Sequence, residues 1–246
     1  MQGVFDEEIS QDLRANGFEI DEKFSFNVSL ASLSIEDEKT SKQFGKEIGK
    51  YRILNSPQFF LEDENIFDYT KKQFIKILKQ FSLKKKKVLV VGLGNFKIPA
   101  DSFGCLCVDK LPHKKNLFAI KPDVYQNTNI FACDIIEGVA SVVNPELVIV
   151  IDSLGTYNIK RLGCSFQVSN VGIVPGGAIY KGNKPISKKT LKIPCVVIGV
   201  PLMVFSKGLN PNLDEFYGNI ILTDKDIDIL VSKCADLVAQ CISKVF

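Results

Sequence analysis

The sequence predicts an α/β protein with a mixed, largely parallel central sheet between helix layers. Three short runs, residues 88–92, 147–151 and 195–200, are almost continuously apolar, as parallel strands covered on both faces must be. Segments with apolar residues at helical spacing lie around these runs, most clearly at 66–81 and 224–245. Alternation of such strands and helices is typical of a sheet with helices packed on its faces.

The remaining elements are assigned from shorter patterns. Residues 24–30 alternate apolar and polar side chains, and residues 50–54 also favour β-structure, so we expect a small peripheral antiparallel pair near the N-terminus. The charged segment 37–46 between them predicts a short helix or a loop. The helix over 66–81 is followed by four lysines at 84–87, which suit the negative end of a helix dipole; a polyanion-binding patch is the other interpretation. Thr223 is the expected N-cap of the last helix.

Length and composition favour a single domain over residues 1–246. The chain has 246 residues, 46% of them apolar and 18 of them Phe, which is enough material for a sizeable core. No repeat or linker divides it, and residues 1–20 are read as a possible propeptide or flexible arm.

Charge and targeting signals indicate a cytoplasmic protein. The net charge of +3 is too small to indicate a nucleic-acid or membrane partner. The acidic start has no basic region followed by an apolar one, and no apolar run approaches the eighteen or so residues that cross a bilayer.

Cysteine and histidine usage argues against thiol, metal and histidine chemistry. The seven Cys are an odd number without disulfide-framework spacing, which favours reduced thiols. Cys105 and Cys107 form a C-x-C pair with no second pair at zinc-ribbon spacing. His113, the one histidine, lies in a polar turn. We therefore expect no metal and no cofactor, and assign the chemistry to carboxylates, hydroxyls or lysines.

Two glycine-rich segments fail as nucleotide loops. The segment Gly92-Leu-Gly-Asn95 has Lys97 where the dinucleotide fingerprint needs a third glycine, and Pro99 follows where a helix should begin. The segment 177–183 ends in Asn183, where a phosphate loop requires lysine.

A carboxylate follows each of the first two apolar strands. These residues are Asp101 and Asp152, and parallel strands would bring both to the carboxyl edge of the sheet, where open α/β folds form their crevice. A close pair of carboxyls cannot readily ionise twice, so one member can act as general base on water while the other donates a proton. The alternative is that each aspartate only caps the helix that follows it.

Several further motifs give the chain a family resemblance. They are Gly45-Lys-Glu-Ile-Gly-Lys-Tyr-Arg52, Val90-Val-Gly-Leu-Gly-Asn95 followed by Asp101 and Gly104, Asn144-Pro-Glu-Leu-Val-Ile-Val-Ile-Asp-Ser-Leu154, Ser165-Phe-Gln-Val-Ser-Asn-Val-Gly-Ile-Val-Pro-Gly176, Gly182-Asn183, and Leu191-Lys-Ile-Pro-Cys-Val-Val-Ile-Gly-Val-Pro201. With these motifs the sequence closely resembles the spore germination protease family, and the match extends with gaps from about residue 40 to the C-terminus.

The resemblance implies an atypical aspartic endopeptidase that hydrolyses small acid-soluble spore proteins during spore germination. It also implies a hydrogenase-maturation-protease-like fold, a homotetramer or other homo-oligomer, a zymogen with an N-terminal propeptide, and a location in the spore core. The family's catalytic aspartates fall by motif on Asp101 and Asp152. We expect the turns at Gly94-Asn95 and at Ser153 to shape the cleft, with Asn95, Ser153 and Asn183 as candidate substrate-binding residues.

The chain also departs from the family pattern. Segments between residues 122 and 133 and between 201 and 223 look shortened, the family's histidine position is Asn116, and Gly182-Asn-Lys184-Pro replaces Gly-Asn-x-Arg. Gln11-Asp12-Leu13 is the only trace of a propeptide cleavage site. Two alternatives therefore stay open: a catalytically degenerate paralogue that binds a spore protein, and a maturation protease of the same fold that acts on another protein.

Overall fold

A mixed β-sheet forms the centre of the computed structural model, which describes residues 19–23, 25–82, 87–176, 184–218 and 220–246. Within these residues the strands follow the order β1-β2-β3-β7-β8-β6-β4-β5, with β9 pairing to β8. The strands are β1 (Glu19–Lys23), β2 (Ser29–Ile35), β3 (Gly49–Asn55), β4 (Val88–Gly92), β5 (Leu117–Ile120), β6 (Leu147–Thr156), β7 (Ser165–Ser169), β8 (Cys195–Phe205) and β9 (Ile221–Leu222).

Helices cover both faces of the sheet. One face packs mainly against α2, α3 and α8, and the other packs mainly against α5. The helices are α1 (Glu38–Phe44), α2 (Glu64–Phe81), α3 (Phe103–Asp109), α4 (Tyr125–Thr128), α5 (Ala132–Val143), α6 (Lys188–Leu191), α7 (Glu215–Gly218) and α8 (Ile227–Val245). The α/β class with helix layers is therefore confirmed.

The parallel part of the sheet consists of β5, β4, β6 and β8, and it contains all three apolar runs that the sequence marked as strands. Every residue of β4 and of β6 is buried, as the continuous apolar pattern predicts. Two of the strands are longer than expected: β6 continues to Thr156 and β8 to Phe205.

The predicted N-terminal antiparallel pair exists at one end of the sheet, but its first strand starts later than predicted. The antiparallel partners are β2 and β3, so the first strand begins at Ser29 rather than at residue 24, and residues 25–27 form a short 3₁₀ turn. β3 then pairs with β7, which joins this pair to the main sheet. The core of the sheet is parallel, but its antiparallel wing is larger than the sequence indicated.

The long helices follow the predicted periodicity, with one error at a helix start. Asp63 caps α2, because its carboxylate accepts the Asn65 N–H at 2.8 Å. Thr223 does not cap α8; its hydroxyl donates to the Leu202 carbonyl at 2.9 Å, and Asp226 takes the N-cap position without a side-chain cap bond. Of the two possibilities predicted for 37–46, a short helix or a loop, the structure shows the helix α1, capped by Asp37.

Several predictions concern residues outside the described part of the chain. These are the N-terminal propeptide or arm, the Gln11-Asp12-Leu13 trace, most of the lysine run and Asn183. The single domain over 1–246 also stays a prediction. No helix among the described residues combines the length and the apolar character needed to cross a lipid bilayer.

Candidate active site

A cavity of about 600 Å³ opens at the carboxyl ends of the parallel strands. Asp101 and Asp152 both line it, together with Asn95 and Ser153. The prediction that two aspartates distant in sequence reach one edge of the sheet is therefore met by their positions. Most of the other lining side chains are apolar, including Phe131, Met203, Phe205 and Leu222.

Asp101 is held by the turn that follows β4. Gly94 adopts φ +104°, a conformation that favours glycine, and a Cβ there would lie 1.9 Å from the Asp101 carbonyl oxygen. The turn thus closes tightly on residue 101, and the Asn95 N–H donates to Asp101 Oδ2 at 2.8 Å. Asp101 ends a short 3₁₀ turn, and Ser102 occupies the N-cap position of α3.

The environment of Asp101 favours its protonated form. Burial raises the pKa of the Asp101 carboxyl above its ordinary value of 3.8, and the hydrogen bond from Asn95 N–H opposes this with a smaller effect. An acid with a raised pKa can retain a proton at a pH where an ordinary aspartic acid is ionised. Such a group is suited to donate a proton in a hydrolytic reaction.

Asp152 lies inside β6, and not after the strand as predicted. Its backbone pairs with Gly199 of β8, and the strand continues for four more residues. The side chain is 7% exposed, and its Oδ1 accepts the Ser153 N–H at 3.0 Å. Because β6 continues and no helix begins at residue 153, Asp152 is not a helix cap.

The capping alternative also fails for Asp101. Its carboxylate accepts a hydrogen bond from Asn95, which precedes it, and the N-cap position of α3 carries no side-chain cap bond. Both residues instead line one cavity, and burial raises the pKa of the Asp101 carboxyl. The catalytic role of the pair stays a proposal, developed below.

The three candidate substrate-binding residues have different outcomes. Asn95 lines the cavity, and its side-chain Oδ1 accepts the Lys97 N–H at 3.0 Å, so the amide holds the turn. Ser153 also lines the cavity, but it belongs to a strand and forms no turn, which corrects the sequence expectation. Asn183 lies outside the described residues.

Sequence reasoning missed a third carboxylate at the same cavity. Asp123 lines it near the end of β5, with φ +64°, and its Oδ1 accepts the Val124 N–H at 2.7 Å. The rule that found the other two, a carboxylate soon after an apolar strand, would have found Asp123 as well. β5 is only four residues long and half-buried, so it was not recognised as a strand.

The cysteines are free thiols, as their odd number and spacing predict, and the histidine lies on the surface. All seven cysteines are free and buried, and burial raises the pKa of Cys105 to about 11. His113 is exposed in the segment between α3 and β5, as expected of a surface turn. Among the described residues, no group of three or more His, Cys, Asp or Glu side chains is gathered where it could hold a metal ion.

Fold and site together define the class of protein: an α/β chain with a mixed sheet and two aspartates in one cavity at the carboxyl ends of its parallel strands. The family follows from sequence comparison. The sequence profile described as Germination protease matches residues 4–212. The chain therefore belongs to the germination protease family, and by that membership it is a peptidase.

Relatives that carry the name germination protease support this assignment. The protein of Caldanaerobacter subterraneus subsp. tengcongensis is 27% identical over an alignment of 291 residues, gaps included. This alignment covers 96% of this chain and 90% of the relative. The proteins of Bacillus licheniformis and Priestia megaterium are each 31% identical, over 219 and 221 residues, which cover 81% of this chain. The chain spans only 59% of the length of each of these two relatives.

Similar solved structures include hydrogenase maturation proteases. The NiFe hydrogenase maturation protease HycI from Thermococcus kodakarensis is 16% identical, with a TM-score of 0.46, covering 69% of this chain and 97% of that one. The hydrogenase maturating endopeptidase HybD from E. coli is 13% identical, with a TM-score of 0.35, covering 64% and 93% of the two chains.

Proposed function

We propose that this chain is an endopeptidase that hydrolyses small acid-soluble spore proteins during spore germination, with Asp101 and Asp152 as its catalytic residues. The observation that carries the proposal is the presence of both carboxyls in one cavity at the carboxyl ends of β4 and β6. Membership in the germination protease family supports the reaction class and suggests the substrate.

The two carboxyls take different roles in the proposed reaction. Asp152 acts as the general base and removes a proton from a water molecule that attacks the carbonyl carbon of the peptide bond. Asp101 is the proton donor, because burial raises the pKa of its carboxyl. It delivers its proton to the amide nitrogen as the carbon–nitrogen bond breaks, and the products are a carboxylic acid and an amine. The step leaves Asp152 protonated and Asp101 ionised, and transfer of that proton from Asp152 to Asp101 restores the starting state of the pair.

The test compares cleavage of a small acid-soluble spore protein by the wild type and by two variants, Asp101→Asn and Asp152→Asn. General acid–base groups contribute about 10²- to 10⁴-fold to rate, so each variant should lose at least about a hundredfold in kcat. Asp68→Asn is the matched control, since Asp68 lies on the exposed side of α2 and pairs with Lys71. Mass spectrometry of the products follows the reaction, and undiminished cleavage by Asp152→Asn would refute the assignment.

A catalytically degenerate paralogue is the second candidate. It is favoured by one observation: the chain spans little more than half the length of several relatives it matches. This candidate predicts that the wild-type chain binds a small acid-soluble spore protein tightly but leaves it intact. Homo-oligomeric assembly and activation of a zymogen follow only from the family resemblance and remain proposals.

A further inference from the structure

β6 extends beyond its neighbour β4 and exposes one edge to the cavity. The ladder between the two strands ends at the pair Gly92 and Ile151, and the Leu93 N–H makes the last bond, to the Ile151 carbonyl at 2.9 Å. Residues 152–156 continue along β8 on the other side. Among the described residues, no strand pairs with residues 152–156 on the side of β6 where β4 ends. This unpaired edge is about 16 Å long at ~3.3 Å per residue.

The strand register shows which main-chain groups face this edge. The Val148 N–H donates to the Pro194 carbonyl at 2.9 Å. Residue 148 and every second residue after it therefore direct their main-chain N–H and C=O groups toward β8. Ile151 turns its carbonyl toward β4. By the same alternation, the Ser153 carbonyl points to the edge where β4 has ended, while the Ser153 N–H donates to Asp152 Oδ1.

The cavity follows this edge. Four consecutive residues, Asp152 to Gly155, line it. Successive side chains of a strand point to opposite faces of a sheet, so four consecutive residues reach one cavity only along an open edge. Ser153 adds a second observation: the residue is 8% exposed, and its buried Oγ has no hydrogen-bond partner among the described residues. A buried hydroxyl without a partner is unusual in a folded protein.

We propose that the substrate binds as an added β-strand along residues 152–156, in the line that β4 would occupy if it continued. A main-chain N–H of the peptide donates to the Ser153 carbonyl, and a peptide carbonyl accepts from Ser153 Oγ. The peptide bond to be cleaved then lies between Asp152 and Asp101. This inference rests on the proposed function, and it deepens that function by naming how the substrate is held.

The mode of binding defines a substrate class. Pairing through main-chain groups selects for extended chain over any one sequence, so the substrate is an unfolded segment. The cavity walls select its side chains. Because Phe131, Met203, Phe205 and Leu222 line the cavity, apolar side chains are favoured beside the cleaved bond.

The first experiment tests main-chain pairing directly. Fluorescein-labelled eight-residue peptides that tile one small acid-soluble spore protein are tested for binding by fluorescence anisotropy. The chain used is Asp101→Asn, so that bound peptides stay intact. The tightest binder is then methylated at one amide nitrogen at a time. An added strand pairs at every second residue, so Kd should rise about fivefold or more at alternate positions and little between them.

The second experiment tests the Ser153 hydroxyl with a matched control. Ser169 on β7 is also a buried serine whose Oγ has no partner within the part of the chain that the structure describes, but it does not line the cavity. Ser153→Ala should raise Kd about twofold to tenfold, as expected for one lost hydrogen bond, and Ser169→Ala should leave it unchanged. Equal effects of the two substitutions would overturn the role of Ser153.

The outcomes separate this inference from the proposed function. An alternating Kd profile without cleavage by the wild type would support the added strand and refute the protease. Cleavage by the wild type, together with a Kd that does not alternate along the methylated positions, would support the protease and overturn the added strand. Failure of every peptide to bind would overturn the added strand as well.

Discussion

At the scale of single residues, the proposed chemistry depends most on the burial of the Asp101 carboxyl. The sequence identified Asp101 and Asp152 because each stands after an apolar run. It could not show that Asp152 belongs to the strand, since the apolar pattern stops at Ile151 while the backbone pairing with β8 continues. Nor could it show the hydrogen bond from Asn95, which depends on how the turn folds back.

The raised pKa of Asp101 predicts a pH-dependent effect of Asp101→Asn on stability. A carboxyl whose pKa is higher in the folded state stabilises the fold when protonated, and this contribution is lost as the pH rises above 3.8 through the folded pKa. Asparagine does not titrate, and its side-chain oxygen can still accept the Asn95 N–H. The variant should therefore be at least as stable as the wild type at pH 7, and the two should converge below about pH 3.

Urea unfolding at both pH values measures this difference. A loss of more than about 1 kcal/mol by Asp101→Asn at pH 7, the size of one lost hydrogen bond, would contradict the burial argument.

Gly94 offers a second test at the residue scale. Gly94→Ala places a Cβ against the Asp101 carbonyl oxygen at a backbone conformation that L-residues avoid, so we expect a loss of about 2 kcal/mol or more together with reduced cleavage. Gly138→Ala is the control, because Gly138 lies in α5 with open space around its Cβ position. That change should stabilise the protein by about 0.5–1 kcal/mol. Thermal unfolding checks both, and a neutral Gly94→Ala would refute the tight turn.

Individual elements were predictable where their periodicity was strong. α2 and α8 begin within about three residues of the predicted positions, because their apolar stripes are long and regular. β5 was missed because a half-buried strand of four residues has no clear pattern. Thr223 precedes the helix and so fits the pattern of a cap, whereas its hydroxyl donates to the Leu202 carbonyl of β8, a contact that no local pattern encodes.

The starts of the two long helices provide a prediction at this scale. Asp63 accepts a hydrogen bond from the Asn65 N–H at the start of α2, whereas Asp226 at the corresponding position of α8 makes no cap bond. Asp63→Ala should cost about 1 kcal/mol of unfolding free energy, and Asp226→Ala should change it by less than about 0.5 kcal/mol. Chemical denaturation compares the two variants, and equal losses would show that the cap bond on α2 does not matter.

The molecule as a whole combines a parallel core with an antiparallel wing, and the sequence predicted these two parts unequally. The continuous apolar runs indicated the parallel strands and the edge where the cavity lies. The pairing of β3 with β7 was not predictable, since it joins residues more than a hundred positions apart through backbone bonds that carry no side-chain signature. The cavity itself also depends on β8 and β9, whose Phe205 and Leu222 reach it only in the folded chain.

The most direct test of the account is the cleavage rate of the double variant Asp101→Asn/Asp152→Asn beside the two single variants. If the carboxyls act as one catalytic unit, each single variant should lose at least about a hundredfold in rate, and the double variant should lose little more than either. Losses that multiply would mean that the two aspartates act independently. Single variants that cleave a small acid-soluble spore protein at the wild-type rate would contradict the two-aspartate site.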